Sequence, residues 1–595
     1  MPNKKKNKLL HTFLKWRYRN ISNRTFVHLM SIVSGLVAGL AAVTLKNITY
    51  LIESILNLGV VFSENQLYFI LPTVGLTFVY IYVKYVQKEP LQHAVSSIIY
   101  ALSKKGGLLT MKDIYTPLIT APLTVGFGGS VGMMGPAVRS GSAISSYLSR
   151  LFHIDAKTRS LLVTCAAAGA ISSIFQAPIA AIIFAVEVFT LDLTMMSMLP
   201  LLLASISGVL TSYFFMGDEV LLSYVPAEGF LLGDIPYYIL LGVGTGFASI
   251  YFTKMYFGIF GIFKRFKSPK YKLLVGGIAI GIMLYAIPPL YGEGLGFINK
   301  LLAGNHLEAL GSTPFDAYLH NIWVVIALLF GITLFKAIAM TTTFAAGGAG
   351  GVFIPTMVMG SALGNVVGKV INNLGIGAHV SESNFTLIGM AGLIAGVIHA
   401  PLTAIFLIAE VTGGHTLIVP LMITAAISYL ITRNALDYTI YTKELAKIGA
   451  LLTHNKDERV LGMMEVQEVI EDDFVPVHPR MTLGQMLHGP VSRSTRNIFP
   501  VLDDSEKLLG IILLDDIRPI MFDNALYDTV KVESLMHAPP EMIFFGEDTM
   551  KTVMKKFQHS GAWNLPVVRE GKYAGFISKS KLLTAYRKKL INFTQ

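Results

Sequence analysis

The sequence predicts an all-α protein that crosses a membrane many times and ends in a soluble region of mixed α/β structure. Of its 595 residues, 53% are hydrophobic and only 14% are charged, whereas soluble domains contain about 25% charged residues. The mean hydropathy is +0.58. After about residue 447, charged residues become frequent and apolar residues fall into short alternating runs. These observations predict a multispan membrane domain followed by a soluble appendage.

Composition also excludes several classes of protein. The single cysteine, Cys165, rules out an intrachain disulfide framework. The net charge is +11, but the basic residues stand beside apolar segments, so a membrane surface is a better partner than nucleic acid. The chain has no HExxH pair, and no second metal-spaced His or Cys stands near His399. We therefore expect no metal site and no enzymatic activity.

The N-terminal segment, residues 1–26, is basic. It carries eight Lys and Arg residues and no acid, which places it in the cytoplasm by the positive-inside rule. No short apolar core with a small-residue cleavage site follows, so it is not a signal peptide. Apolar residues over 9–20 predict a helix that lies in the membrane interface. We expect a multi-pass protein of the plasma (inner) membrane with both termini in the cytoplasm.

Residues 27–447 form the predicted membrane domain. The stretch 25–45 contains no charged residue and is long enough to cross a hydrocarbon core of about 30 Å. Glycine or proline interrupts many of the later segments, and such breaks are tolerated where protein or a wet cavity surrounds them. The interruptions therefore suggest a transport pathway. The later apolar segments cover about 66–83, 114–138, 160–186, 193–217, 236–252, 273–291, 321–335, 337–368, 385–409 and 415–432.

The membrane domain repeats itself. AGAISSIFQAPIAAIIFAVEV at 168–188 matches AGLIAGVIHAPLTAIFLIAEV at 391–411 with an offset of 223. GGSVGMMGP at 128–136 matches GGAGGVFIP at 347–355 with an offset of 219. Two halves with matching interrupted segments are typical of a transporter whose site lies at the repeat interface. We place the repeats at about 27–220 and 230–447.

The two glycine-rich runs are candidates for an anion site. Glycine lets a backbone approach a ligand closely, and a helix that starts there directs N–H groups and the positive end of its dipole at the ligand. No Lys or Arg lies between 337 and 368, and conduction requires that an anion be bound weakly enough to leave. The alternative is that these small residues only allow close helix packing.

The soluble region repeats as well. After a linker at 448–463, we predict one unit at 464–523 and a second at 531–592. In the first unit Pro500 precedes the strand at Gly510, and in the second Pro566 precedes the strand at Gly575. Each unit ends in an amphipathic helix pattern, near 515–522 and 580–590.

Four short motifs resemble those of the CLC chloride channels and chloride/proton exchangers that carry a C-terminal pair of CBS domains. GVFIP at 351–355 matches the GxFxP element of that family, and IYTKELAKIG at 440–449 matches its tyrosine segment. GMMGP at 132–136 stands where the family has GREGP, and QHAVS at 92–96 stands where it has GSGIP or GHGVP. The resemblance implies an inverted repeat of tilted, broken helices and a homodimer with one pore per subunit.

The resemblance also implies roles for individual residues. The backbone amides of Val352 and Phe353 would contact a central anion, and the Tyr441 hydroxyl would donate to it. His93 stands where many members use a serine as the other inner-gate donor, and a neutral imidazole can donate one N–H. The alternative for His93 is a satisfied structural histidine at a helix end.

Two departures from the family concern proton transfer. Met134 occupies the position of the gating glutamate, and Val188 occupies that of the internal proton glutamate, directly after Glu187. Neither side chain titrates, so we predict passive conduction of chloride or a similar small anion. The alternative is a secondary transporter that exchanges chloride or another halide for protons, with His93 as the nearest candidate carrier. A third class is a membrane sensor in which only the CBS pair is active.

The remaining polar candidates are two acids in the membrane domain and three residues in the soluble region. We interpret Glu187 and Glu410 as structural, because they occupy matching helix ends. No cofactor is required, but CBS pairs often bind adenine nucleotide through a Gly-x-x-Ser/Thr-x-x-Asp signature. The chain retains parts of this signature in Asp516, Ser578 and Lys581. The alternative is a structural dimerisation module without nucleotide.

Overall fold

The computed structural model describes residues 6–58, 64–189, 195–217, 221–222, 229–311, 313–375, 379–413, 416–447, 461–462 and 464–594. The chain divides into two compact units, Met1–Leu451 and Leu452–Gln595, and each is described by itself. The predicted linker at 448–463 lies outside the described residues except for 461–462.

The described part of the first unit is helical. Eight of its helices are long and apolar enough to cross a membrane. The α-helices, numbered in chain order, are α1 Lys6–Asn20, α2 Asn23–Leu58, α3 Glu64–Tyr82, α4 Ala94–Lys104, α5 Lys112–Gly126, α6 Met134–Leu151, α7 Ala156–Phe175, α8 Pro178–Phe189, α9 Met195–Met216, α10 Ile235–Lys264, α11 Pro269–Ala286, α12 Leu295–Leu302, α13 His306–Leu310, α14 Ile322–Ala345, α15 Phe353–Leu374, α16 Glu382–Ile398, α17 Pro401–Val411, α18 Ile418–Ala435 and α19 Lys443–Lys447.

The predicted repeat appears as matching helix breaks. Helix α7 ends before Gln176 and α16 ends before His399, two residues related by the offset of 223, and both have left-handed backbone conformations with φ of 54° and 59°. Two residues later, Pro178 begins α8 and Pro401 begins α17. Proline suits a helix start because it has no N–H to leave unpaired there. The same local sequence therefore breaks both repeats at the same point.

Small residues let the long helices of the second repeat pack closely. Gly360 and Gly364 of α15 face Gly389 and Phe385 of α16, and a Cβ at either glycine of α15 would collide with a carbonyl oxygen of α16. Here the glycines serve backbone contact between helices, as small residues commonly do in membrane proteins. This close packing fixes the position of α15, whose first residue borders the site described below.

The second unit contains two small sheets. Strands β1 (Ile498–Leu502) and β2 (Leu508–Leu513) pair antiparallel. In the other sheet, β3 (Ile543–Phe544) runs parallel to β4 (Asn564–Arg569), which pairs antiparallel with β5 (Lys572–Ser578). The described α-helices of this unit that span four or more residues are Leu483–Met486, Leu514–Ile517, Val532–Leu535, Met550–Ser560 and Lys579–Thr594.

The two hairpins of this unit have the same register. Val501 faces Gly510 in the first hairpin and Val567 faces Gly575 in the second, so the repeated Pro–Val and Gly positions are structurally equivalent. The helix predicted near 580–590 is present as Lys579–Thr594. The one predicted near 515–522 is helical only over Leu514–Ile517 and continues as turns.

Candidate functional site

The two glycine-rich runs meet directly at the repeat interface. The Gly132 N–H donates to the Gly351 carbonyl at 2.8 Å, and the Gly351 N–H donates back to the Gly132 carbonyl at 2.5 Å. Helix α6 begins at Met134 and α15 at Phe353, two residues after this pair in each repeat. The N-terminal ends of two equivalent helices therefore lie side by side.

The two runs can approach each other this closely because their glycines have no side chains. A Cβ at Gly350 would collide with Val131, and a Cβ at Gly351 would lie 2.9 Å from the Gly135 nitrogen. Gly128 and Gly347 have φ of 91° and 105°, a backbone conformation that L-residues rarely adopt. Glycine is therefore needed here both for space and for conformation.

The helix start at Val352 and Phe353 presents unpaired backbone donors. In the part of the chain that the structure describes, the N–H groups of these two residues donate to no protein acceptor. The Phe353 ring is buried against Phe175 and Phe184 of the first repeat, with ring centroids 5.4 and 6.2 Å away. Packing between the repeats thus fixes two amides that the resemblance assigns to an anion.

His93 lies at the start of another helix. It is the N-cap residue of α4, and its ring nitrogens lie 3.3 Å from the Tyr256 hydroxyl. The ring also packs edge-on against Phe260 and Phe344. The Arg139 guanidinium donates to the preceding carbonyl, that of Gln92, at 2.8 Å. These contacts fix the position of His93, although its loop lacks the glycines of the GSGIP or GHGVP motif.

A cavity of about 600 Å³ brings His93 together with the second glycine run. It is lined by His93, Arg139 and Gly347–Gly350, and by the lysines Lys84, Lys88 and Lys272. These basic side chains line part of the cavity together with Glu89, and the glycine backbone forms one of its walls. The arrangement can attract a small anion by long-range charge and bind it through neutral groups.

Tyr441 is buried, with 7% of its surface exposed, in the turn that follows α18. Tyr256 lies close enough to both Tyr441 and Glu444 to interact with them electrostatically. Since Tyr256 also contacts His93, the two residues predicted as hydroxyl and imidazole donors occupy one region. Sequence reasoning missed Tyr256, because it is one of four tyrosines in the long apolar helix α10 and nothing in the sequence distinguishes it from the others.

The two positions that lack glutamates contain side chains that cannot titrate. Met134 is 1% exposed at the first position of α6, and Val188 is half-buried near the end of α8. The neighbouring Glu187 accepts hydrogen bonds from the N–H groups of Leu402 and Thr403 at the start of α17. Glu187 therefore stabilises the start of a helix that belongs to the other repeat.

Glu410, the repeat equivalent of Glu187, makes the reciprocal contact. Its two carboxylate oxygens accept hydrogen bonds from Ile179 at 3.1 Å and Ala180 at 2.9 Å, at the start of α8. Each repeat thus supplies a carboxylate to the positive end of a helix in the other repeat. These contacts agree with the structural interpretation of both acids.

Sequence reasoning missed Glu293, which lies next to the first helix start, and Lys336, which holds the loop that carries Glu293. A carboxylate oxygen of Glu293 accepts a hydrogen bond from the Met133 N–H at 2.5 Å. The Lys336 ammonium is fully buried and donates to the carbonyls of Leu290 and Gly292 at 3.1 and 2.9 Å. Ionisable residues within membrane-spanning segments are functional candidates by default. That rule would have identified Lys336, which lies in α14, but not Glu293, which lies in a loop.

The three residues predicted for nucleotide binding lie at strand-to-helix junctions of the second unit. The Asp516 carboxylate accepts from the Leu513 N–H at 3.0 Å and lies 3.0 Å from His537 Nε2. The Ser578 hydroxyl accepts from the Lys581 N–H at 3.1 Å, and the Lys581 side chain is exposed. Asp516 and Ser578 therefore both serve as local helix caps.

Comparison with protein families gives two matches. The family described as voltage gated chloride channel matches residues 74–433. The CBS domain family matches residues 466–523 and 532–588.

Individual proteins are also similar to this chain. A ClcB-like chloride channel protein of Ralstonia nicotianae is 27% identical over 58% of this chain and 78% of its own length. An H(+)/Cl(-) exchange transporter, ClcA, of Vibrio campbellii is 26% identical over 54% of this chain and 66% of its own length. The crystal structure of a eukaryotic CLC transporter covers 93% of this chain and 97% of its own, with a TM-score of 0.59 and 16% identity.

Proposed function

Because the chain belongs to the voltage-gated chloride channel family and carries two CBS domains, we propose that it moves chloride or a similar small anion across a membrane and is not an enzyme. The observation that carries this proposal is the backbone pairing of Gly132 with Gly351. It places two helix N-termini from two repeats beside each other, where N–H groups and helix dipoles favour an anion.

The anion would be bound by neutral donors. We assign this role to the amides of Val352 and Phe353, to the Tyr441 hydroxyl and to the His93 imidazole. No basic side chain occurs in 337–368, so binding stays weak enough for release. The lysines of the 600 Å³ cavity would raise the local anion concentration without trapping the ion.

For the mode of transport, we favour exchange of the anion for protons over passive conduction. The relative from Vibrio campbellii is named as an H(+)/Cl(-) exchange transporter. The prediction of passive conduction depended on the absence of a titratable group near Met134. The carboxylate of Glu293, hydrogen-bonded to the adjacent residue Met133, supplies such a group. Val188 still leaves the internal position without a proton carrier, which is the main argument for passive conduction.

The assembly and location follow from the same proposal. We propose a homodimer in the plasma (inner) membrane, with both termini in the cytoplasm. The basic segment at 1–26 supports the orientation of the N-terminus.

A reversal-potential measurement tests the proposal. The purified full-length protein would be reconstituted in a bilayer with a chloride gradient, and pH would be stepped on one side. We expect a chloride-dependent current whose reversal potential shifts with the proton gradient. Protein-free bilayers and bilayers with gluconate in place of chloride are the controls.

Two other outcomes would contradict parts of this proposal. A reversal potential that stays at the chloride equilibrium value would show passive conduction. The absence of any anion-dependent current or flux would reject anion transport and favour a sensor function for the CBS pair.

A further inference from the structure

We propose that Glu293 is the gate of the anion pathway, acting as a carboxylate supplied from outside α6 in place of the side chain at position 134. The inference rests on the proposed anion transport. It concerns which group blocks the first helix start and what removes that block.

The repeat relationship identifies what Glu293 contacts. With the offset of 219, Met133 corresponds to Val352, and Met134 corresponds to Phe353. The N–H of Met133 is therefore the repeat equivalent of an amide that we assign to the anion. In the structure, this N–H donates to the Glu293 carboxylate at 2.5 Å. A carboxylate thus occupies a donor that a transported anion would otherwise use.

The segment that carries Glu293 is held between the two repeats. The Ser130 hydroxyl donates to the Leu290 carbonyl at 2.6 Å, and the Tyr291 hydroxyl donates to the Gly126 carbonyl at 2.7 Å. From the second repeat, the Lys336 ammonium donates to the carbonyls of Leu290 and Gly292. Because hydrogen bonds from both repeats hold this backbone, the site would open by movement of the Glu293 side chain alone.

Space for that movement lies next to the carboxylate. Glu293 is partly buried and borders a cavity of about 440 Å³, which is also lined by Lys46, Tyr50, Glu53 and Met133. A carboxylate that releases the Met133 N–H can turn into this cavity. Met134, which is fully buried and uncharged, has no charge with which to compete with an anion.

Protonation provides the reason to release the amide, because a neutral carboxyl group is a weaker acceptor. Glu293 lies in a loop outside the membrane-spanning helices, and burial raises the pKa of its carboxyl to about 7. The negative charge of Glu53 also raises this pKa. The Met133 hydrogen bond and the charges of Lys46 and Lys336 lower it. The group therefore changes charge near neutral pH.

The test compares the pH dependence of chloride efflux from proteoliposomes for the wild type, Glu293→Gln and Glu53→Gln. The pH is set equal on both sides and varied across neutrality. We expect wild-type efflux to be high below pH 7 and to fall by about tenfold per pH unit above it, since only the protonated form conducts. Glu293→Gln is permanently neutral, so its efflux should be high and independent of pH.

Glu53→Gln is the matched control, because it removes the other carboxylate of the same cavity. Its efflux should remain pH-dependent, with the midpoint shifted to lower pH by the loss of a negative charge beside Glu293. Monodisperse elution in detergent checks that each variant is folded. If Glu293→Gln does not fold, Glu293→Asp is used to test the inference. Its carboxylate is on a shorter side chain and should block the Met133 N–H less well, so its efflux at high pH should exceed that of the wild type.

The outcomes separate this inference from the proposed function. If Glu293→Gln keeps the wild-type pH profile, or if wild-type efflux does not vary with pH, Glu293 is not the gate, although anion transport stands. If Glu293→Asp has to be used instead, the wild-type pH dependence of efflux in that variant overturns the inference in the same way. If the wild type moves no anion at all, the proposed function and this inference both fail.

Discussion

At the scale of single residues, the proposed site would bind an anion through groups that carry no full charge. The backbone donors of Val352 and Phe353 are supplemented by one buried hydroxyl, that of Tyr441. Basic side chains such as Arg139 remain outside this set, since its guanidinium is paired with Asp113 and with the Gln92 carbonyl. Affinity should therefore depend on individual hydrogen bonds more than on net charge.

Removal of the Tyr441 hydroxyl tests this dependence. Tyr441→Phe keeps the buried ring but removes one donor, which is worth about 0.5–1.5 kcal/mol. We expect the dissociation constant for chloride, measured by isothermal titration of the full-length protein in detergent, to rise by roughly two- to tenfold. Tyr438→Phe is the control, because Tyr438 is exposed and lies three residues earlier.

An equal chloride affinity in Tyr441→Phe and the wild type would contradict the assignment of this hydroxyl to the anion. The same loss in both tyrosine variants would point to a general effect on the turn after α18.

At the scale of elements, the short helices α8 and α17 are stabilised across the repeat boundary. Each begins at a proline, and neither is capped by a side chain of its own first turn. Instead the carboxylate of Glu410 accepts from the first amides of α8, and that of Glu187 accepts from the first amides of α17. The two helices thus depend on each other for their N-terminal hydrogen bonds.

Neutralising either acid should weaken this arrangement to a similar extent. Glu187→Gln and Glu410→Gln each keep an acceptor but lose its charge, at a cost of roughly 1–3 kcal/mol. We expect a similar drop in apparent unfolding temperature in detergent for both variants, with anion efflux retained. Glu89→Gln is the control, since Glu89 forms an exposed ion pair with Lys112, worth at most about 1 kcal/mol.

Wild-type unfolding temperatures in both variants would show that the caps contribute little. Loss of efflux in Glu187→Gln at an unchanged unfolding temperature would assign that acid to the transport pathway instead.

At the scale of the whole molecule, the chain joins a transport unit to a CBS pair with the same hairpin in each half. The residues expected to contact a nucleotide already have local roles there. Asp516 caps the helix after β2, and Ser578 caps the helix after β5. The Asp516 and Ser578 oxygens that a nucleotide was expected to contact therefore already accept hydrogen bonds from the backbone.

This engagement predicts the outcome of a nucleotide titration. We expect the full-length protein titrated with ATP to give no saturable binding signal, as a structural dimerisation module would. Saturable binding that Lys581→Ala weakens would instead support the adenine-nucleotide site, because Lys581 is the exposed cation of the three residues. Lys579→Ala, two residues earlier on the same helix, is the control for a nonspecific charge effect.

The fold was largely predictable from sequence because it is repeated. The offset of 223 placed Gln176 and His399 at equivalent positions, and both helices break there with the same backbone conformation. The motifs at 351–355 and 440–449 predicted the family, and the match at 74–433 confirms that prediction. The contact of Glu293 with Met133 was not predictable, because it joins residues 160 positions apart with no repeat equivalent to reveal it.

The backbone pair at Gly132 and Gly351 has a consequence for how transport can proceed. Many repeat transporters expose their site alternately to each side by rocking one half against the other. Here the halves are joined by two reciprocal backbone hydrogen bonds at the site itself and by the crossed carboxylate hydrogen bonds at α8 and α17. Rocking would break these bonds in every cycle. Turnover in this protein should therefore involve rotation of side chains within a nearly stationary scaffold.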